Sequence, residues 1–480
     1  MKSIVLLPIL AVLLSCTSQN KKQPADLVLK YNLPAQSWNE ALPVGNGRLG
    51  AMVFGTVPRE RIQFNEETLW TGEPHDYSHP GASEYLDTIR QLLFAGKPRE
   101  AENIAMEHFM SIPLGQKAYQ PFGDLYIDFP GHEKYTDYQR SLDISQAMSR
   151  VSYKLNGLTY TREVFASQPD QVIVIRLTGN QMKKLTFNLG FDSPHEQQEI
   201  STDGTQQTLR VAVKDGALRG MARLRLETDG MIRDSEQLIT VSEAGRATIY
   251  LVAATNFVSY KDVSGDPSKR VDEYSAAIKG KSYKQIRKAH IADYQSLFNR
   301  FDISFGSNGR DSLPMDQRLR MFNQSPEDPG LIGLYVQYGR YLMISSSRPG
   351  TQPANLQGIW NQDMHPAWDS KYTTNINAEM NYWPVEAANL SDCHDPFFKM
   401  VGECAQTGAV TAAVHYNANG WILHHNTDIW RGTAPINHSN HGQWVGGSGW
   451  TSTHFWEHYL FTLDTSFLRN RIGRLGQLQE

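Results

Sequence analysis

The hydrophobic pattern of the chain changes near residue 275, and this change limits the folds open to it. Before this point, short apolar or alternating runs recur, among them Val172–Leu177 and Ala247–Phe257. Asn156-Gly157 lies between two alternating runs, which predicts a tight hairpin. Many short strands separated by turn residues favour an N-terminal β-sandwich. Ala82–Met110 is predicted to be a helical interruption of this sandwich.

After residue 275 the apolar residues recur at helical spacing. Tyr283–Phe301 is predicted to be a linker helix, and Cys393–Val414 and Ser452–Leu463 to be later helices. The segment Leu331–Ser345 places one set of apolar residues on one helical face, namely Leu331, Leu334, Tyr335, Tyr338, Tyr341 and Leu342. Helices joined by long loops suggest an α/α toroid around a central cleft. A chain of 480 residues also exceeds what one core usually organises, so we expect at least two domains.

The N-terminus predicts export from the cytoplasm. Residues 1–15 contain the apolar run Ile4–Leu14, which is too short to span a bilayer as a helix. Leu13-Leu14-Ser15-Cys16 resembles a bacterial lipoprotein processing site, which makes Cys16 the lipidated residue and 16–25 a polar tether. The alternative is an ordinary cleaved signal peptide with an incidental Cys. We therefore expect a lipid-anchored protein of the bacterial cell envelope, periplasmic or at the outer-membrane surface, whose membrane contact is the N-terminal lipid.

Charge and cysteine content exclude other classes. The net charge is −4, and the chain has no basic patch of the kind that nucleic acid requires, so we exclude nucleic acid as a partner. Beyond Cys16 there are two cysteines, Cys393 and Cys404, which do not make a disulfide framework. No cofactor is predicted.

The stretch Thr351–Pro384 reads TQPANLQGIWNQDMHPAWDSKYTTNINAEMNYWP and forms a long polar and aromatic loop between two helices. Long loops of this kind are usually functional. Aromatic faces such as that of Trp368 stack on sugar rings, and Asn and Asp side chains hydrogen-bond to hydroxyl groups. The loop therefore predicts a carbohydrate site.

Asn375 and Asn377 near the end of this loop are the first candidate catalytic group. If Asn375-Ile376-Asn377 is extended, both amides lie on one side and can hold one water molecule. The alternative is that one Asn caps the helix that follows. The surrounding aromatic and acidic residues favour the site.

Two further clusters follow. In Leu423–Arg431, the residues His425, Asp428 and Trp430 are candidates for binding sugar hydroxyls, with Trp430 as a stacking surface; the alternative is a salt-bridged loop with a packed Trp. His454 and His458 have the i, i+4 spacing of metal ligands. The Glu directly precedes the second His and no third ligand is evident, so a packed helix is predicted, and a metal site is the alternative.

Long motifs resemble glycoside hydrolase family 95. Trp38–Pro74 looks like the family's opening, and Asn355–Trp383, His424–Pro435 and Glu457–Thr462 look like blocks of its helical domain. The resemblance implies a multi-domain β + α chain with a β-sandwich, a helical linker and an (α/α)6 barrel. On this basis we expect the sandwich at 26–275, the helical linker at 276–305 and a partial, incomplete (α/α)6 catalytic domain at 306–480.

The resemblance also implies an exo-acting, inverting α-L-fucosidase for terminal α-1,2-linked fucose, with some family members preferring α-L-galactosides. In that family an Asn pair, held by an Asp, positions the attacking water, and a Glu protonates the leaving oxygen. The Asn pair carries over onto Asn375 and Asn377. Thr373 stands where fucosidases of the family often carry His, and its smaller side chain leaves room for the 6-hydroxyl of L-galactose. The expected partner is a fucosylated or L-galactosylated oligosaccharide.

The family places its acid Glu and its Asp well downstream of the Trp430 region. We therefore expect the catalytic domain to be truncated here, apolar helix faces to be exposed, and activity to be impaired on the order of 10²–10⁴-fold. A non-catalytic glycan-binding lipoprotein is a competing interpretation, because it needs no acid. A metal-dependent hydrolase using His454, His458 and the His424-His425 pair is a third.

Overall fold

A computed structural model describes residues 27–472. The predicted signal peptide at 1–15, the lipidation at Cys16 and the tether at 16–25 lie outside these residues. Among the helices of 27–472, none combines the length and the apolar composition that crossing a membrane requires.

The first half of the chain is built of antiparallel strands. In chain order they are β1 Val28–Tyr31, β2 Leu42–Gly45, β3 Leu49–Val53, β4 Arg59–Glu66, β5 Gly123–Asp128, β6 Thr136–Asp143, β7 Met148–Leu155, β8 Leu158–Ser167, β9 Val172–Gly179, β10 Leu185–Asp192, β11 Gln197–Asp203, β12 Gln206–Ala212, β13 Arg219–Thr228, β14 Met231–Asp234, β15 Ile239–Ala244 and β16 Arg246–Thr255.

Two sheets pack face to face. One has nine strands in the order β1-β6-β7-β8-β9-β16-β13-β12-β11, and the other has seven in the order β14-β15-β10-β5-β4-β3-β2. Strand β9 shows why its sequence is apolar without alternation. Ile173 and Ile175 point into the sandwich core, whereas Val172 and Val174 belong to a second cluster on the outer face. The predicted N-terminal β-sandwich is confirmed.

The hairpin between β7 and β8 turns at Asn156-Gly157. Leu155 pairs with Leu158, and the two turn residues have φ of +50° and +77°. Both central residues of a type I′ turn require positive φ, which Asn and Gly tolerate best. The predicted hairpin turn is confirmed.

The helices are α1 Ser83–Phe94, α2 Pro98–His108, α3 Pro267–Ala277, α4 Tyr283–Phe298, α5 Met315–Gln324, α6 Pro329–Ser346, α7 Asn377–Ala387, α8 Asp395–Tyr416, α9 Ser439–Gly442, α10 Gly447–Thr462 and α11 Thr465–Phe467. The short strands β17 Tyr372–Thr373 and β18 Asn426–Thr427 pair with each other between helices. Helices α1 and α2 form the predicted interruption of the sandwich.

Helices α3 and α4 cover the outer face of the nine-stranded sheet. Val271 of α3 and Ile286 of α4 share a buried cluster with Phe165, Val174 and Tyr250. A capping box begins α4, because Ser282 and Gln285 bond to each other's backbone. These helices carry the chain from the sandwich to the helical region.

Helix α6 links the two regions through its buried face. Leu331, Leu334 and Tyr341 are buried in the core that both regions share, and the Tyr341 hydroxyl donates to the carbonyl of Pro43. The prediction that Tyr335 lies on this face is wrong, since its residue is 76% exposed. Residues 331 and 335 are about 40° apart around a helix. The part of α6 that the core covers is narrower than its apolar face, so Tyr335 at the edge of that face is left exposed.

The outer side of α10 is apolar and open. The exposed large residues at the end of this helix are Trp456, Leu460, Phe461 and Leu463. Apolar faces of this kind were expected on the helical region, and they mark a surface suited to contact with other chain segments or molecules.

Candidate active site

The long loop between α6 and α7 lies against the β-sandwich. The indole nitrogen of Trp360 donates to the carbonyl of Val44 at 2.9 Å, and the amide of Asn361 donates to the carbonyl of Tyr119 at 3.1 Å. The Asn361 backbone N–H also bonds to the Asn65 side chain at 3.1 Å. Buried contacts of this kind fix the path of a polar loop. The sandwich thus supports the candidate site as a structural partner.

Asn375 and Asn377 stand at the beginning of α7. Asn375 is half-buried in a turn, and Asn377 is exposed as the first residue of the helix. Among residues 27–472, neither side-chain amide has a hydrogen-bond partner. Both amides are therefore available to a water molecule or a substrate.

The predicted extended conformation of Asn375-Ile376-Asn377 is wrong. Ile376 has φ −177° and ψ −40°, and α7 begins at the next residue. The alternative of an Asn cap does not hold either, because the residue before the helix is Ile376, which makes no side-chain cap bond. The need to form the first helical turn overrides the alternation seen in the sequence.

The β17–β18 pair brings the two predicted sugar-binding segments together. Thr373 pairs with Asn426, and its hydroxyl donates to the Asn426 side-chain oxygen at 2.7 Å. The next residue, Thr374, donates from its backbone to the His425 carbonyl at 2.8 Å and from its hydroxyl to the His424 carbonyl at 2.7 Å. Residues 372–374 and 424–427, far apart in sequence, thus form one hydrogen-bonded surface directly before the Asn pair, which we call the floor of the candidate site.

Trp368 projects from the loop with 79% of its surface exposed. It opens a run of three left-handed residues, with φ of +48° at Trp368, +57° at Asp369 and +51° at Ser370. The carbonyl of Asp369 accepts from the Tyr119 backbone at 3.0 Å, which holds this strained turn. Both faces of an exposed indole can stack on a sugar ring, as the prediction for Trp368 requires.

Asp428 does not face a ligand. Its residue is 0% exposed, and its carboxylate accepts the hydroxyl of Tyr77 and the backbone N–H groups of Lys117 at 2.9 Å and Trp430 at 3.0 Å. The predicted sugar-binding role of Asp428 is therefore wrong. A buried carboxylate is stable only when its oxygens are paired, and here the protein supplies the partners.

Trp430 is also a packed residue. It is 1% exposed, its indole nitrogen donates to the Thr71 carbonyl at 2.8 Å, and its ring lies 6.0 Å from that of Phe257. The predicted stacking surface at Trp430 is wrong, because a sugar cannot reach the ring. The salt-bridged loop with a packed Trp is the correct alternative, and Arg431 pairs with Glu403 at 2.7 Å.

His425 is buried within this floor. Its residue is 6% exposed, and its Nδ1 has no hydrogen-bond partner among residues 27–472. Burial lowers the pKa of the imidazole to about 4, so the ring is neutral at pH 7. A sugar contact by His425 stays a prediction, for which the unpaired Nδ1 is the relevant atom.

Glu379 is the functional candidate that the sequence reading missed. It lies in the first turn of α7, is 0% exposed, and neither carboxylate oxygen has a hydrogen-bond partner among residues 27–472. Burial raises its pKa to about 7. Unpaired buried carboxyls with raised pKa values cluster at functional sites. The signal available in the sequence was an acidic residue three positions before Tyr382, on the helical face that also carries Val385.

A second group of polar side chains lies at the other end of α7. Glu386, His394 and His458 have side-chain nitrogen or oxygen atoms within 4.8 Å of one another, so these residues could hold a metal ion. In the sequence, the spacing of His458 pairs it with His454 and not with these two residues. The other two residues come from α7 and from the turn before α8, which sequence spacing did not reveal.

Known protein families match both halves of the chain. The Glycosyl hydrolase family 95 catalytic domain matches residues 282–475, and the Glycosyl hydrolase family 65, N-terminal domain matches residues 29–260. The first match covers the Asn pair and the floor, and the second covers the sandwich.

Proteins named as α-fucosidases are similar to this chain in sequence. "Alpha-L-fucosidase 2" of Arabidopsis thaliana is 36% identical over 93% of this chain and 57% of its own length. "Probable alpha-fucosidase A" of Aspergillus niger is 30% identical over 89% of this chain and 56% of its own length. The chain thus spans a little over half the length of these relatives.

Among solved structures, "Putative kojibiose phosphorylase from human microbiome" superposes with a TM-score of 0.57. The alignment covers 94% of this chain and 58% of that one, at 12% identity. At this identity the likeness concerns the fold, a β-sandwich followed by a helical region.

Proposed function

The chain belongs to glycoside hydrolase family 95, and from this membership we propose that it acts as an exo-acting, inverting α-L-fucosidase. The proposed substrate is a glycan that ends in α-1,2-linked L-fucose. The observation that carries the proposal is the pair of unpartnered amides of Asn375 and Asn377 at the accessible start of α7.

Two amide oxygens can accept both hydrogens of one water and orient its lone pair toward the anomeric carbon. Amides are poor bases, so a carboxylate must finally take the proton. Inversion further requires about 6.5–9.5 Å between the catalytic groups, with room for the water between them.

The remaining residues support recognition of the sugar. Trp368 offers an exposed aromatic face, and the Thr373–Asn426 pair offers hydroxyl and amide oxygens beside the Asn pair. Apolar contact with aromatic rings and a few directed hydrogen bonds are what a sugar site uses.

An α-L-galactosidase is the second candidate, and Thr373 favours it. L-galactose differs from L-fucose by a 6-hydroxyl. Because the Thr373 hydroxyl donates its hydrogen to Asn426, its oxygen can still accept a hydrogen bond from that group. The residue is half-buried, which leaves one side open to a ligand.

Product stereochemistry tests the main proposal. The protein is mixed with an oligosaccharide ending in α-1,2-linked L-fucose, and the anomeric proton of the released sugar is followed by NMR during the first minutes. β-L-Fucose as the first product supports inversion, whereas α-L-fucose first contradicts it. Binding of the oligosaccharide without any release supports the competing glycan-binding lipoprotein. The same assay with α-1,3- and α-1,4-linked fucosides defines the linkage.

We also propose that the protein is anchored through a lipid on Cys16 in the bacterial cell envelope. The support is the leader sequence, with its short apolar run and the tetrad Leu13-Leu14-Ser15-Cys16. Mass spectrometry of the N-terminal peptide tests it. A diacylglyceryl-modified Cys16 is expected, and a free thiol at this residue contradicts the proposal.

A further inference from the structure

Three side chains from three separate elements converge at the C-terminal end of α7. Glu386 is in α7, His394 is in the turn that leads into α8, and His458 is in α10. The Oε1 atom of Glu386 lies 2.7 Å from Nδ1 of His394 and 2.6 Å from Nδ1 of His458. The spacing of these residues in the sequence does not predict that they meet, because α7, the turn before α8 and α10 are brought together by the packing of the helices.

From this geometry we propose that Glu386, His394 and His458 bind a divalent metal ion, with zinc the ion that fits the donor set. Two imidazole nitrogens and one carboxylate oxygen are a ligand set that zinc uses, with a fourth position for water. Zinc bonds of about 2.0–2.2 Å in a tetrahedral arrangement place the ligand atoms roughly 3.3 Å apart. On binding zinc, the two nitrogens therefore move outward from Oε1 by about 0.6–0.7 Å.

The surroundings of the three ligands are those of a metal site. Ser391 donates its hydroxyl to the second oxygen of Glu386 at 2.5 Å, and His394 Nε2 lies 3.1 Å from Nδ1 of His454. Such outer hydrogen bonds orient the ligands. With metal on Nδ1, His394 carries its hydrogen on Nε2 and donates it to His454.

Apolar rings close the site from outside. Phe398 stacks on His394 with ring centroids 4.2 Å apart, and Phe467 lies 4.4 Å from His458. Glu386 and His394 are nearly inaccessible, whereas the side chain of His458 is 13% exposed. An ion can enter past His458, and the apolar shell then excludes competing water.

The position of the site defines its role. Glu386 lies nine residues after Asn377 on the same helix, which corresponds to about 14 Å along the axis. The ion therefore does not touch a sugar bound at the Asn pair. It ties α7 to α10 and to the turn before α8, and it stabilises the helix whose first turn carries that pair.

Metal retention tests the proposal without reference to activity. The purified chain is loaded with zinc, dialysed against metal-free buffer and analysed for bound zinc. One zinc per chain and a rise in Tm of roughly 2–4 °C are expected. Failure of the wild-type chain to retain zinc overturns the proposal and leaves a hydrogen-bonded His–Glu cluster.

Two variants locate the ion. His458→Gln and Glu386→Gln are each expected to weaken zinc binding by at least about tenfold, while the matched control His365→Gln, at an exposed loop residue, binds zinc as the wild type does. Equal zinc binding by folded His458→Gln and Glu386→Gln chains overturns the proposal.

The absorption spectrum of the wild-type chain with cobalt(II) in place of zinc tests the proposal even if these variants do not fold. The wild-type chain loaded with cobalt is expected to show the visible absorption of a four-coordinate ion with nitrogen and oxygen ligands. A thiolate charge-transfer band assigns the ion to the neighbouring Cys393 instead and overturns the proposal, as does a six-coordinate spectrum.

Discussion

The hydroxyl of Thr373 donates to the side-chain oxygen of Asn426 at 2.7 Å and joins two loops that are 53 residues apart in the sequence. The same two residues pair across the β17–β18 ladder. This contact and the bonds of Thr374 hold the chain directly before Asn375 against the His424–Arg431 segment. Thr373, the residue proposed to discriminate between L-fucose and L-galactose, is therefore held in place by its bond to Asn426.

Thr373→His is expected to shift specificity toward fucosides. A larger ring removes the space and the oxygen that the 6-hydroxyl of L-galactose would use, so the kcat/KM ratio of α-L-galactoside to α-L-fucoside should fall roughly tenfold or more. Paired substrates measured with both enzymes test this. Thr453→His, at an exposed position of α10, is the control and should leave the ratio unchanged. A wild-type enzyme that already rejects the galactoside would refute the second candidate function.

Asn375→Ala and Asn377→Ala are each expected to lower kcat by about 10²–10⁴-fold with little change in KM, because the pair orients the water and not the sugar. Steady-state kinetics on an α-L-fucoside measure both constants. Asn323→Ala on the exposed surface of α5 is the matched control. A large rise in KM with normal kcat would assign the pair to sugar binding.

Trp368→Ala is expected to weaken sugar binding by roughly threefold to tenfold, the usual contribution of an aromatic contact. Because 79% of the Trp368 surface is exposed, its removal uncovers little apolar surface, so Tm should hardly change. Titration calorimetry with a fucosylated oligosaccharide measures the effect. Trp456→Ala, which removes a half-exposed indole from α10, is the control. Equal affinities of wild type and Trp368→Ala would exclude a stacking role.

Glu379→Gln is expected to change how stability depends on pH. Burial raises the pKa of Glu379 to about 7 from a usual 4.5, so the folded state holds a proton that the unfolded state has lost between these values. The free energy of unfolding of the wild type should therefore fall as pH rises from 4.5 to 7, by about 3 kcal/mol from this residue.

The glutamine variant cannot ionise and should lack this loss. Urea denaturation at pH 5 and pH 8 compares the two chains, and the variant should gain stability relative to the wild type at pH 8. Glu236→Gln, at an exposed residue, is the control. An identical pH dependence of wild type and Glu379→Gln would show that the carboxyl is solvated or paired in solution.

Asp428→Asn separates a structural role from a sugar-binding one. The amide presents a second set of hydrogens to donors such as the backbone N–H groups of Lys117 and Trp430, so the free energy of unfolding should fall by about 1–3 kcal/mol. Asp363→Asn, an exposed residue of the long loop, should have no such effect. Normal stability together with a raised KM would restore the original sugar-binding interpretation.

Local rules explain what could be predicted. The Asn156-Gly157 turn, the strand run Val172–Leu177 and the helix at Leu331–Ser345 depend on neighbouring residues, and each formed where it was expected. The buried face of that helix was predicted except at Tyr335, which is exposed. The carbohydrate site expected from the polar and aromatic composition of Thr351–Pro384 stays a prediction, because many of the polar residues of this loop, such as Gln352 and Asn361, are buried in the protein.

The tertiary structure decided which polar residues face a ligand and which face the protein. Asp428 and Trp430 are as polar or aromatic as Asn375 and Trp368, yet distant partners such as Tyr77 and Thr71 satisfy and bury them. Glu379 and the convergence of Glu386 with two histidines depend in the same way on how helices pack. Sequence determines the local conformations and the chemical groups, whereas burial and pairing arise from contacts between separate elements, because a local stretch of chain does not specify which distant groups will pack against it.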